Sequence, residues 1–386
     1  MKLLSVDNYI DFKCLGGECP ISCCGGNWQI IVDDDAYNFY ISVEGELGEK
    51  IRNGIKKVDG INVFELDSKT KDCMFLDENK LCIIQKMLGE DALCYTCKAF
   101  PRSTYIAGDV MFCFLANSCP EVNRMIMQRD EPIRTLFDDS KENEDEEECV
   151  ENNTDEIGFY NAIKACNTGM HIIQNRNILL RDRLFFLICY IEHFQKLLTD
   201  GKDPSVLDGI ESNSEMLKMI SSRDLRRHDY ADKIRIFMIV YKSLMVDSYK
   251  HPMWSKCSEL ADKIGNGEIN DIEQLQRAFR NTENDAIQRE LEQLMCYRFF
   301  AVFMQGYENS DYLEKVIYEI ILLIALEVYT ALIETVWNRE CSQEERILFY
   351  SLCGRIDHSK KQKARLVSEL KEEGFYEMDG LTRLLS

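Results

Sequence analysis

Histidine is absent from the first 170 positions: the chain has five, and the earliest is His171. Any metal or catalytic centre built from that stretch works without imidazole, so its ligands are thiolates or carboxylates and imidazole-based hydrolysis is excluded there. No GxGxxG follows a strand, and no Walker loop, HExxH or GxSxG occurs, which removes the ordinary doubly wound transferases and dehydrogenases. The x3–x2 cysteine triplet of radical adenosylmethionine enzymes is missing, as is any repeat of fixed period that would mark a solenoid. The opening MKLLSVDNYIDF offers no export signal, because Asp7 and Asp11 interrupt any apolar core. The longest apolar run, Ile320 to Leu326, is bracketed by Glu319 and Glu327 and is too short to span a bilayer. The expectation is a cytoplasmic protein with no membrane partner.

Basic residues are outnumbered, 46 Lys and Arg against 67 Asp and Glu, for a net charge of -21. This disfavours nucleic acid as a partner, but the excess is local: residues 131–156 carry twelve acids against Arg134 and Lys141. That run repels itself and cannot bury apolar surface, so it reads as a solvated acidic linker. It separates residues 1–130 from residues 157–386, and 386 residues suffice for cores that need no covalent staples.

Cysteine is abundant. Of 17, ten lie before residue 120. Cys14-x4-Cys19-x3-Cys23-Cys24 is followed by Cys73-x8-Cys82-x11-Cys94-x2-Cys97, with Cys113 and Cys119 behind. In a reducing compartment, thiols this closely spaced are ligands more often than disulfides, and Gly16-Gly17 and Gly25-Gly26 let the backbone fold around a centre. Each block offers four sulfurs, which suits either tetrahedral zinc or a cubane iron–sulfur cluster; the missing histidine tilts the choice toward iron–sulfur, with zinc as the alternative. Cys14, Cys19, Cys23, Cys24, Cys73, Cys82, Cys94, Cys97 and Cys119 are the candidate metal ligands. Cys113 lies in an apolar strand pattern, and Cys166, Cys189, Cys257, Cys296, Cys341 and Cys353 read as small buried hydrophobes.

Short extended patterns at Trp28–Val32, Asn62–Leu66 and Val110–Leu115, with a hairpin turn over Asp77–Lys80, make residues 1–130 a small irregular cysteine-rich metal-binding domain with a few short strands. Beyond it, amphipathic stretches over Ile178–Leu198, Lys233–Met245, Ile272–Phe279, Ala286–Phe303 and Tyr312–Val336 predict helices, with Asn284 and Asp311 as N-caps. The fold class is therefore mainly α, with an irregular all-α helical domain serving substrate or partner binding.

The run Phe12-Lys13-Cys14 through Cys19-Pro20-Ile21-Ser22-Cys23-Cys24, then Trp28-Gln29-Ile30, resembles the opening of flagellin lysine N-methylases. Cys73-Met74-Phe75-Leu76, Leu81-Cys82-Ile83-Ile84, Leu88-Gly89-Glu90, Leu93-Cys94-Tyr95-Thr96-Cys97, Phe100-Pro101-Arg102 and Ser118-Cys119-Pro120-Glu121 continue the likeness in order. The first 120 residues also resemble the wider cysteine-rich, zinc- or iron-chelating domain named for CxxCxxCC. Near the C-terminus, Arg355-Ile356-Asp357-His358 is similar as well. The resemblance implies a cytoplasmic enzyme that moves methyl groups from S-adenosylmethionine to lysines of flagellin, with a [4Fe-4S] cluster on these cysteines. Such chemistry needs carboxylates to steer an ammonium and aromatics to surround it. Asp33, Tyr37 and Tyr40 are the catalytic candidates, and Trp28 and Arg102 the candidates for holding the donor. Packing roles for Trp28 and Tyr40, and a surface ion pair for Arg102, are the plainer alternatives. His358 reads as a base or as a structural residue. A non-enzymatic metal-binding or zinc-structured protein-interaction module is the competing function.

Overall fold

The computed structural model describes residues 2–25, 29–107, 109–138, 156–210, 214, 218, 230–244, 251–307 and 310–385. Strand β1 (Lys2–Val6) leads into the first cysteine loops, then α1 (Asp34–Ser42) and α2 (Gly45–Asn53). The hairpin β2 (Ile55–Val58) and β3 (Ile61–Phe64) turns at Asp59-Gly60, both at positive φ (49° and 86°), the conformation that matches strand twist in a two-residue hairpin. Short helices α3 (Ile83–Leu88) and α4 (Tyr95–Ala99) carry the second cysteine block; β4 (Arg102–Ala107), β5 (Val110–Leu115), α5 (Pro120–Met127) and β6 (Thr135–Asp138) follow. The main sheet has the order β4-β5-β1-β6, with β1 parallel to β5 and antiparallel to β6.

Two cores organise these elements, and they divide the chain differently from its composition. The smaller core packs Ile30, Val32, Tyr40, Ile51, Phe64 and Phe75 around buried Cys73 and Cys94. The larger begins with Leu4 and Val6 of β1, takes in Phe112 and Leu115 of β5 and Val122 and Ile126 of α5, and continues to Leu384. The sheet and α5 thus share their core with the helices although they precede residue 130. The start of the acidic segment is also built in: Ile133 is buried, and the Gln174 side chain accepts from its N–H (2.6 Å) and donates to its C=O (3.1 Å). Residues 139–155, with most of the acids assigned to a linker, lie outside the described residues.

The helices are α6 (Glu156–Ile173), α7 (Leu180–Thr199), α8 (Tyr230–Leu244), α9 (Trp254–Gly265), α10 (Ile272–Thr282), α11 (Asp285–Phe303), α12 (Tyr312–Trp337), α13 (Gln343–Gly354), α14 (Lys360–Glu372) and α15 (Met378–Leu384). All five predicted helices are present. Asn284 caps α11 by accepting from Ile287 N–H (3.0 Å), whereas Asp311 holds the N-cap position of α12 without a capping bond and pairs with Lys315 instead. Helix α12 is long and apolar enough to cross a membrane, but 94% of its most apolar window is buried within the protein, as in a core helix. Among the extended patterns, Val110–Leu115 is β5 and Asn62–Leu66 overlaps β3; of the first, Trp28–Val32, the described residues contribute the isolated bridge Ile31–Val63. Asp77–Lys80 is a turn, its carboxylate accepting from Asn79 and Leu81 N–H.

Candidate metal and active site

The cysteines sit where the backbone turns. Cys14 and Cys19 flank a single turn over Gly16–Glu18; Gly16 has φ +56°, and a Cβ on Gly17 would fall 2.8 Å from the Asn79 carbonyl, so the closeness of the two loops requires glycine. The Cys14 sulfur accepts from Gly16 N–H (3.3 Å), and the Cys19 thiol donates to the Ile21 carbonyl (3.0 Å). Cys73 N–H donates to the Cys24 carbonyl at 2.7 Å, joining the two sequence blocks. Cys82, Cys94 and Cys119 occupy the N-cap positions of α3, α4 and α5.

Together these loops form a cavity of about 120 Å³ lined by Cys14, Cys19, Cys23, Cys24, Cys82 and Cys119, with Phe12, Ile21 and Phe100 as apolar lining. The spatial grouping cuts across the sequence blocks. Cys24 and Cys82, like Cys97, pack against the small core that holds Cys73 and Cys94, so they lie between cavity and interior. A hydrogen bond from Cys24 pulls the Cys23 thiol down to about 7 and pushes Cys24 up; Cys97 lowers Cys94 in the same way and is itself raised. Burial pushes Cys73 up to about 11 and Cys119 to about 12. Each pair thus offers one sulfur inclined to thiolate, the form that ligates metal.

The remaining wall comes from the other end of the chain. Arg355, in the short turn Arg355–His358 after α13, lines the cavity. His358 Nε2 lies 2.8 Å from Ser118 Oγ, next to Cys119, tying the two halves together, and burial holds its pKa down. A Cβ on Gly354 would meet Ser118 N at 2.7 Å and Asn117 at 2.8 Å: only glycine lets α13 approach this loop so closely. Asp357 is held by Arg298 Nη2 (2.9 Å) and Lys363 (2.9 Å), and Arg298 also grips Glu319 of α12 through two bonds at 2.9 and 2.8 Å. Tyr297 Oη accepts from Leu115 N–H and donates to Leu115 C=O, fixing the end of β5 just before the Ser118–Cys119 loop. Of this set, the sequence pointed to the Arg355–His358 run alone; Arg298, Tyr297 and Gly354 have no local signature.

The other candidates are placed outside the cavity. Asp33 is the N-cap of α1, accepting from Ala36 N–H (3.0 Å) and from Tyr95 N–H (2.7 Å). Burial raises its carboxyl, but those backbone bonds together hold it below its ordinary value. Tyr40 is fully buried and donates to the Ala92 carbonyl (2.7 Å), and burial pushes its hydroxyl up; Tyr37 packs against the same core. These contacts give Asp33 and Tyr40 framework roles: they clamp α1 to the loop before Cys94 and to α4. Arg102 stacks 5.5 Å from the centroid of Phe12, whose ring lines the cavity. Trp28 lies outside the described residues. Cys113 is buried in β5, and of the six scattered cysteines all but the half-buried Cys189 are buried.

Among the described residues no three His, Cys, Asp or Glu side chains are already gathered at ligating positions; the thiols pair with each other instead. Donor chemistry nevertheless fits a thiophilic centre: the cavity offers six sulfurs, one carboxylate (Glu121) and no imidazole.

A family model described as the FliB lysine N-methylase C-terminal domain matches residues 167–384. Over 121 residues, 30% of this chain, the sequence is 32% identical to the flagellar biosynthetic protein FliU of Salmonella muenchen, covering 71% of that protein. The same identity over 121 residues relates it to the lysine-N-methylases of Salmonella typhimurium strain LT2 and Salmonella choleraesuis strain SC-B67, of whose length the match spans 30%. No solved structure matches.

Proposed function

Because the chain belongs to the FliB lysine N-methylase family, we propose that it is a cytoplasmic, S-adenosylmethionine-dependent protein lysine N-methyltransferase that acts on flagellin and carries an iron–sulfur cluster on its N-terminal cysteines. The observation that carries this reading is the joint cavity. The stretch that matches the methylase C-terminal domain contributes Arg355 to a cavity lined by six cysteines, which supports a reading in which the two halves act together. A passive metal-delivery module has no need of such a seam.

Methyl transfer joins the lysine nitrogen to the donor's methyl carbon as the carbon–sulfur bond breaks; the sulfur leaves with the bonding pair as a neutral thioether, and the methylated ammonium releases a proton. The acceptor must arrive as free amine and in line with the leaving sulfur, so alignment and desolvation are the protein's task. Four of the six thiols of Cys14, Cys19, Cys23, Cys24, Cys82 and Cys119 would hold the cluster, a redox-active centre when bound. Arg355 places a cation at the cavity wall, Phe12 and Phe100 line it with apolar surface, and the tie from His358 to Ser118 holds that wall in register.

Anaerobic purification followed by incubation with labelled S-adenosylmethionine and flagellin tests the proposal. Brown protein with iron and acid-labile sulfide in near-equal amounts, and label on flagellin lysines, is the expected result. Colourless protein with stoichiometric zinc alone would sink the cluster; no label on flagellin under cluster-intact conditions would sink the methyltransferase.

A further inference from the structure

The helical half contains a second cavity that shares no lining residue with the first. It measures about 540 Å³ and opens between α7, α8, α10, α11, α12 and α15. Size separates the two: small-molecule sites run to roughly 300–1,000 Å³, so the 120 Å³ thiol cavity is too small for a nucleoside-sized ligand and the helical one is not. Leu184, Leu291, Leu323 and Ile324 form an apolar floor. Half-buried Tyr230 packs at 34° on the buried Phe279 ring, centroids 4.8 Å apart, so Tyr230 carries the aromatic surface left exposed on the lining.

The polar groups are set at the edges. Arg181 bonds Glu283 at 3.2 Å through Nη1, while its buried Nε has no partner among the described residues. Arg280, exposed on the lining, has no ion pair among the described residues. Glu327 accepts from Thr282 Oγ1 (3.2 Å) and pairs with Lys233 (3.3 Å), whose ammonium also lies 5.5 Å from the Phe279 centroid. The aromatic-carboxylate seat that would suit an incoming lysine is therefore filled by the chain's own lysine. What remains is a stacking surface, the Glu283 carboxylate and two guanidiniums with unspent donors.

We propose that this cavity binds the methyl donor, a purine nucleoside bearing an amino-acid tail. The base stacks on Tyr230, the ribose hydroxyls and the tail's ammonium face Glu283, and its carboxylate meets the exposed Arg280 guanidinium. This assignment rests on the methyltransferase reading and places the donor in the helical half, a site separate from the sulfur wall.

Calorimetric titration of the full chain with S-adenosylhomocysteine, beside Arg280→Glu and Tyr230→Ala, tests it, with ultraviolet crosslinking of radiolabelled S-adenosylmethionine to locate the site. Binding to the wild type, at least tenfold weaker in both variants at unchanged melting temperature, with label on the peptides of α8 or α10, is expected. Arg280 is exposed, so its variant stays informative if Tyr230→Ala proves unstable. Wild-type affinity in Arg280→Glu, or label on residues 14–24 or 73–119, would overturn the site while leaving the methyltransferase intact. No binding to the wild type would remove both.

Discussion

Cys23 and Cys24 are adjacent, yet one faces the cavity with a lowered pKa while the other is raised and shared with the small core. Replacing Cys23 or Cys119, both on the cavity lining, with serine should abolish bound metal, measured by elemental analysis after anaerobic purification. Cys257→Ser should leave it unchanged, since that thiol is buried in the helical core. Equal metal in all three would refute this division of the cysteines. His251 supplies a residue-scale test of stability. Burial first, and the charge of Arg355 second, hold its pKa down to about 3; its Nδ1 accepts from Met253 N–H (3.1 Å). The unfolded chain binds a proton near pH 6.5 and the folded one does not, so this contribution is fully present above pH 6.5 and is lost as pH falls from there toward 3, at about 1.4 kcal/mol per unit. Urea titrations between pH 7 and 5 should show that slope in the wild type and a shallower one in His251→Gln.

At the scale of elements, legibility followed burial pattern. The run from Tyr312 to Val336 marked α12 to within one residue, and the alternating aromatics of Val110–Leu115 marked β5. Helix α13 escaped because Glu345 through Gly354 are buried on all sides, which erases the amphipathic period; the capping box of Ser342 and Glu345 was the signal that could have found it. Spacing singled out the candidate cysteines, but their spatial grouping was not legible, since Cys24 and Cys82 lie both on the cavity and against the small core through turns that spacing does not encode. Gly354 makes the docking of α13 testable. Gly354→Ala inserts a methyl group against Ser118 and Asn117 and should cost roughly 1–3 kcal/mol as overpacking does, together with weaker metal retention. Thermal melts and iron content read both; full stability would show that the close approach is dispensable.

Across the whole molecule, the cysteine loops and the C-terminal helices are tied through Arg298, which joins α11, α12 and the turn carrying Arg355. Sequence could not reveal this, because an arginine inside an apolar helix carries no mark of a partner 59 positions away. Arg298→Ala leaves Glu319, only 1% exposed, without its counter-charge, and a loss of roughly 3–5 kcal/mol is expected in denaturant titration. Arg298→Met with Glu319→Met should recover much of it, and no recovery would show that the pair does more than neutralise itself.

The dependence of lysine methylation on the thiol wall is read most directly by intact-mass spectrometry of flagellin after anaerobic reaction with S-adenosylmethionine, wild type beside Cys23→Ser. The expected outcome is methyl increments on lysine with the wild type and none with the variant. Unmodified flagellin in both reactions, or equal methylation by metal-free Cys23→Ser protein, would contradict it.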